Sequence, residues 1–155
     1  MALLTGFPQI FQSDTSATAS SQELPLGVRA ADVDGNEYIY AKGTASVVKN
    51  TWVTFDEGLN VTRTAANAQG RIGIAMVAIP LSSFGWYQVR GKATGSAVVG
   101  VTDNGKLYLT STAGEVGTAD VSGDFIVGAI GRSDRTSGSI TVELLYPIVQ
   151  DTVFD

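Results

Sequence analysis

The chain has neither cysteine nor histidine among its 155 residues. Without thiols there is no disulfide framework, no thiolate metal site and no cysteine nucleophile. Without imidazole the commonest general base is missing, and with it the Ser-His-Asp triad and most zinc and copper sites. Charge is scarce as well. Charged residues make up 16% of the chain, against ~25% in an average globular domain. Ten Lys and Arg face fifteen Asp and Glu, for a net charge of −5. The cations are scattered from Arg29 to Arg135, which argues against a nucleic-acid surface. No window reaches the ~18 apolar residues of a membrane span. The opening MALLTGFPQIF lacks a basic region and is broken by Gly6 and Pro8, so it does not read as a signal peptide. The expected product is soluble and made in a cytoplasm, with no membrane and no nucleic-acid partner.

What is present points to β-structure. The apolar fraction is 44%, and there are 18 glycines alongside much Val, Ile, Thr and Ser. A single domain of this length buries roughly 68–70% of its unfolded surface and needs no staples. No stretch holds a 3.6-residue period. Short β-type runs separated by turn residues every 8–12 positions predict a single all-β domain, a β-sandwich or β-barrel of about nine to eleven short strands. The domain spans 24–147. An N-terminal arm and linker cover 1–23, and a C-terminal tail covers 148–155.

The centre of the pattern is Phe84–Lys92 (FGWYQVRGK). In an extended chain Phe84, Trp86, Gln88 and Arg90 share one face, with Gly85, Tyr87, Val89 and Gly91 on the other. The preceding run, Arg71–Ile79, is apolar on both faces, which predicts a strand buried on both sides. Its Gly73 and Ala75 leave room for something large, for which Trp86 is the candidate. Asp34-Gly35 predicts a hairpin between Val28–Val33 and Glu37–Lys42. Tyr38 and Tyr40 face one way there, Ile39 and Ala41 the other. Thr44–Val48, Thr51–Asp56 and Leu59–Thr64 read as further strands. Asn104-Gly105 predicts a hairpin turn after Ala93–Thr102, with Lys106–Thr110 following. Asp124–Arg132 is strongly β. Ser139–Pro147 alternates cleanly, with Ile140, Val142, Leu144 and Tyr146 on one face, and Pro147 is expected to end it.

Little chemistry is legible. Asp32-Val33-Asp34-Gly35-Asn36-Glu37 has the look of a calcium loop, but its glycine is fourth where that motif needs it sixth, so a turn is the better reading. Asp32/Asp34, Asp56/Glu57, Asp120/Asp124 and Asp134 all fall in turns or on polar faces, where solvated acids account for them. There is no phosphate-binding glycine loop. Trp52, Trp86 and Tyr87 fit either a sugar-stacking platform or, more commonly, a core. No catalytic residue, cofactor or metal is expected, and the chain is not read as an enzyme.

The two ends differ from the body. Leu3, Leu4, Phe7, Ile10 and Phe11 form an apolar tip ahead of the small, polar stretch QSDTSATASSQ. Such an arm is either a terminal strand folded back on its own domain or a segment that orders on a partner. The other end carries Val153 and Phe154.

PLGVRAADVDGNEYIYAKG, RIGIAMVAIPLSSFGWYQVRGKA, GKLYLTSTAGEV, DFIVGAIG and a closing strand ending in Leu-Tyr-Pro follow one another over about 24–147. This succession resembles the small head decoration, or cement, proteins of tailed bacteriophages. Pro25-Leu26-Gly27, Asp34–Tyr38 and Gly85–Gly91 carry most of the likeness. The Lys49–Ala66 region and the arm before Leu24 do not follow that pattern. The resemblance implies a virion protein on the capsid exterior, often a homotrimer, that clamps neighbouring major capsid subunits. The candidate partner-binding residues are then Leu3, Leu4, Phe7, Ile10, Phe11, Val153 and Phe154. The alternative is a carbohydrate-binding or fibre-type β-module of a phage particle. A carboxylate-based hydrolase is the third reading.

Overall fold

The computed structural model of the chain describes residues 17–120 and 123–149. These contain no helix and eleven strands: β1 (Thr18–Ala19), β2 (Arg29–Ala31), β3 (Glu37–Gly43), β4 (Trp52–Phe55), β5 (Asn60–Arg63), β6 (Gly70–Ala75), β7 (Phe84–Ser96), β8 (Lys106–Leu109), β9 (Val116–Gly117), β10 (Phe125–Gly131) and β11 (Ser139–Val149). The all-β expectation and its strand number hold. All eleven belong to one mixed sheet.

That sheet curls on itself. β7 pairs with β3, β3 with β5 in parallel, β5 with β4, β4 with β6, and β6 again with β7. The ring of five strands is a small barrel. A second layer continues from the far half of β7 through β11, β10, β8 and β9. β7 is the shared element. Its first half serves the barrel and its second half, Arg90–Ser96, pairs with Ser139–Leu145 of β11.

Alternation decides what fills each space. Ile39, Ala41, Val53, Phe55, Val61, Ala75, Tyr87 and Val89 point into the barrel and form its core. Five strands leave little interior room, so large rings need facing glycines. Gly73 lies under the Phe55 ring, where an added Cβ would come within 2.9 Å. Phe55 and Tyr87 pack edge to face, with centroids 5.6 Å apart. The space at Gly73 and Ala75 is thus taken by Phe55 and Tyr87 and not by Trp86. Trp86 joins Tyr38, Tyr40, Phe84 and Ala30 in a cluster on the barrel's outside, against which Leu26 and Val28 pack.

The largest cluster lies between the barrel and the second layer. Trp52, Ile72 and Ile74 come from the outer faces of β4 and β6, and Leu107, Ile126, Ile140, Val142 and Leu144 come from the layer above. Both faces of β6 are therefore buried. Trp52 is fully buried, donates from Nε1 to the Ser96 carbonyl at 3.0 Å, and lies against Gly95. Each fully buried aliphatic side chain in such a cluster contributes about 1.5–3 kcal/mol.

Two irregularities let β7 and β11 change partners. At β7 the register against β3 shifts between Glu37 and Tyr38. Gly91 follows at φ 93°, a left-handed conformation that costs glycine little. The buried Gln88 amide donates to the carbonyls of Arg90 and Lys92 at 3.0 Å each, satisfying groups the kink removes from the ladder. In β11 three residues, Leu145–Pro147, oppose the single Gly128, which has φ 81°. This bulge admits Pro147, which lacks an amide, so the strand runs on to Val149 and does not stop at the proline. It also turns Tyr146, at φ 48°, out of the row of Ile140, Val142 and Leu144.

Three local expectations need correction. Thr44–Val48 forms no strand and contributes one bridge, Val47 to Ile79. Asn104-Gly105 turns the chain, but β8 pairs with β10 and β9, so no hairpin joins it to β7. Thr18–Ala19, inside the stretch read as a linker, pairs with Gly85 and Phe84 of β7.

Candidate functional site

Of the candidate acids, Asp32, Asp56, Asp124 and Asp134 do local structural work. Asp32 closes the β2–β3 loop. Its carboxylate accepts from the amides of Asp34 and Asn36, the Asn36 side chain at 2.9 Å and the Tyr38 hydroxyl at 2.7 Å. Burial, the largest single effect, pushes the Asp32 pKa up, but these hydrogen bonds together outweigh it and hold the group below the usual carboxylate range. Burial and then the bond to Asp32 push the Tyr38 phenol well up. Four hydrogen bonds to one carboxylate are a turn's closure. Asp56 accepts from the Asn60 amide and side chain across its own turn. Asp124, buried, holds the Asn67 amide at 2.6 Å. Asp134 accepts from the Asp103 amide. Among the described residues no group of three or more acids gathers as a metal site.

Glu37 is the exception in position. It is 7% exposed and sits at the open end of the barrel. Its Oε1 accepts from Arg90 at 3.2 Å and its Oε2 from the Tyr146 hydroxyl at 2.6 Å. Arg29 lies 4.0 Å from Oε2, with its guanidinium 5.1 Å from the Tyr146 ring centroid. The bond to Glu37, then burial, raises the Tyr146 pKa. The cluster joins β2, β3, β7 and β11 just where β7 and β11 change partners. Beneath it a cavity of about 30 Å³, bounded by Arg29, Ile39, Phe55, Val89, Tyr146 and Pro147, has room for little more than water. The sequence pattern hides this cluster, because Tyr146 falls in period-two register with the apolar row of Ile140, Val142 and Leu144.

The seven residues singled out for partner binding, Leu3, Leu4, Phe7, Ile10, Phe11, Val153 and Phe154, lie outside the described residues. The candidate platform aromatics are all in the core: Trp52 and Tyr87 are fully buried and Trp86 is 6% exposed. What the sequence did not single out is the outer face of β10 and β11. Phe125, Val127 and Leu145 are large apolar residues exposed there. DFIVGAIG is apolar throughout, so its pattern alone does not tell an exposed face from a buried one. Beside this face a groove of about 470 Å³ is bounded by Gly91, Lys92, Arg132, Thr141 and Glu143. Arg132 and Glu143 pair across it at 2.8 Å.

No protein-family model and no curated protein matches the chain. Among solved structures, the fold is similar to the head fibre gp8.5 N base of bacteriophage phi29, with a TM-score of 0.55. The match covers 73% of this chain and 97% of that one at 12% identity. It shows that the two share an all-β architecture over most of the domain.

Proposed function

We propose that the chain is a non-enzymatic structural protein of a bacteriophage particle, bound to the outer surface of the icosahedral head. The observation that carries this is the fold likeness to a phage head fibre base. It joins a sequence whose motifs independently resemble head decoration proteins. Within that reading the finer role is cementing neighbouring major capsid subunits as a homotrimer. The apolar residues at the two ends, Leu3 to Phe11 with Val153 and Phe154, make the capsid contact. Such a role needs no cofactor and no catalytic group. It gains from a rigid, turn-closed body and from several weak contacts made at high effective concentration. A binder specific for the mature shell stabilises it by RT ln(1 + [L]/Kd), ~2.7 kcal/mol per site at a hundredfold excess over Kd.

The second reading, a fibre base, is favoured by the structural neighbour itself, which is the base of a phage head fibre. A glycan-binding version of it loses support from the burial of Trp52, Trp86 and Tyr87.

Co-sedimentation with mature capsids of the source phage tests the proposal, using the full chain and a version beginning at Ala17, which keeps β1. A cement pellets saturably at a fixed ratio to the capsid subunit, and loss of the arm weakens it. Saturation at only a few sites per capsid supports the fibre base. A folded protein that does not pellet overturns both.

A further inference from the structure

The N-terminal arm leaves the described residues beside an apolar end of the barrel. β1 pairs Thr18 with Gly85 and Ala19 with Phe84, and β6 ends with Ala75 opposite Tyr87. Only Trp86 separates the two on that edge of β7. Residues 1–16 therefore join the body where the chain after β6 turns away. The Ala17 carbonyl oxygen lies 3.8 Å from where a Cβ on Gly85 would stand, and the Ile79 side chain reaches the same point. The segment after β6 and the turn facing it form a fixed surface. Val47 and Ile79 exchange backbone hydrogen bonds of 3.0 Å. The Leu81 amide donates to Ser46 Oγ at 3.1 Å, and the Ser82 amide to the Gly43 carbonyl at 2.8 Å. On this frame Val48 is 62% exposed and Leu81 59%, with Ala78 and Pro80 exposed as well. The charge here is positive. Lys49 is exposed, the Arg63 guanidinium donates to the Ser46 carbonyl, and residues 43–51 and 76–84 hold no acid.

We propose that in the free chain the N-terminal arm folds back over this end of the barrel, its apolar residues between Leu3 and Phe11 covering Val48 and Leu81. The place where the arm joins the body selects it as the occupant. Phe11 precedes Ala17 by six residues, a reach of roughly 20 Å when extended. Val48 and Leu81 lie within two residues of the Val47–Ile79 bridge beside that junction. The chemistry matches as well. Residues 1–16 carry five large apolar side chains besides Met1, no Lys or Arg, and one acid, Asp14, against an apolar surface of positive charge. Tethering at β1 holds the arm at high effective concentration, which favours it over the arm of another copy. The inference goes beyond the proposed function and does not depend on it, since it concerns the chain before any partner is met. A capsid contact made by the same side chains would compete with this stowed state, which until then keeps them from water.

Thiol labelling of the full chain tests it. The chain has no cysteine, so Leu81→Cys and Val48→Cys each report on one position. A maleimide should label either of them about tenfold faster once Phe7→Asp, Ile10→Asp and Phe11→Asp are added to the same chain. Val99→Cys is the control. Val99 is 81% exposed on the turn beyond the far end of β7, and its labelling should not respond to the arm. The protection should also survive dilution by about a hundredfold, as an intramolecular contact requires. Equal labelling of Leu81→Cys and Val48→Cys with and without the arm aspartates overturns the proposal. Protection that dilution removes overturns the intramolecular arm, because the cover then comes from a second copy. Equal protection of Val99→Cys overturns it too, by showing general collapse without a docking surface. If the aspartates prevent folding, Phe7→Ser with Phe11→Ser makes the same comparison. None of these outcomes changes what capsid pelleting reports, so the two proposals fail separately.

Discussion

The barrel and the layer packed on it obey different packing rules. In the barrel, the two strands that close the ring, β6 and β7, are buried on both faces, and large side chains fit only because glycine faces them: Phe55 over Gly73, Ile79 over Gly85. In the outer layer β10 and β11 have one buried face, and the other carries Phe125, Val127 and Leu145 in the open. The lesson is that apolar content alone does not report burial. β6 and β10 are similarly apolar in sequence, but one has neighbours on two sides and the other on one.

Several changes would sharpen or break that contrast. The largest effect should come from Trp52→Ala, at the boundary of barrel and layer, with a loss of about 3–5 kcal/mol in chemical denaturation. A loss within the surface range would show that the two regions are not coupled through that ring. Next, Gly73→Ala and Gly95→Ala should each cost about 1–3 kcal/mol, since the new methyl meets Phe55 or the Trp52 indole at less than 3 Å. In the barrel core the Tyr87 hydroxyl is buried with no hydrogen-bond partner among the described residues, and burial raises its pKa. Tyr87→Phe should therefore leave stability unchanged or raise it by about 1 kcal/mol, read as an unfolding midpoint. On the open face, Val127→Thr should change monomer stability by no more than about 0.5 kcal/mol.

The pH dependence follows from Asp32. Its folded pKa is depressed, so its contribution to stability is present above the unfolded value of ~3.9 and is lost as pH falls through the lower folded value. Urea midpoints of wild type should fall more steeply below about pH 4 than those of Asp32→Asn. Parallel curves would show that the hydrogen bonds to Asp32 add nothing to folding.

Much of the fold was legible from the chain, residue by residue. The turn at Asp34-Gly35, the opposed faces of Tyr38/Tyr40 and Ile39/Ala41, and the double burial of Ile72 to Ala75 are consequences of period-two alternation and turn chemistry, both local. The candidate site was not legible to the same degree. Tyr146 fits the pattern of a core residue, yet a bulge opposite Gly128 sends it to Glu37, which is 109 positions away in sequence. Pro147 reads as a stop, and the same bulge accommodates it.

The sequence by itself determined an all-β chain without thiol or imidazole chemistry, where most of its strands fall, and which side chains share a face along a regular strand, because these follow from residue type and spacing. The tertiary structure alone decided that five strands close into a barrel through the parallel pairing of β3 with β5, that β7 serves two layers, and which apolar face stays open. Those are choices among non-local pairings. They depend on what lies opposite each strand, which no local pattern encodes.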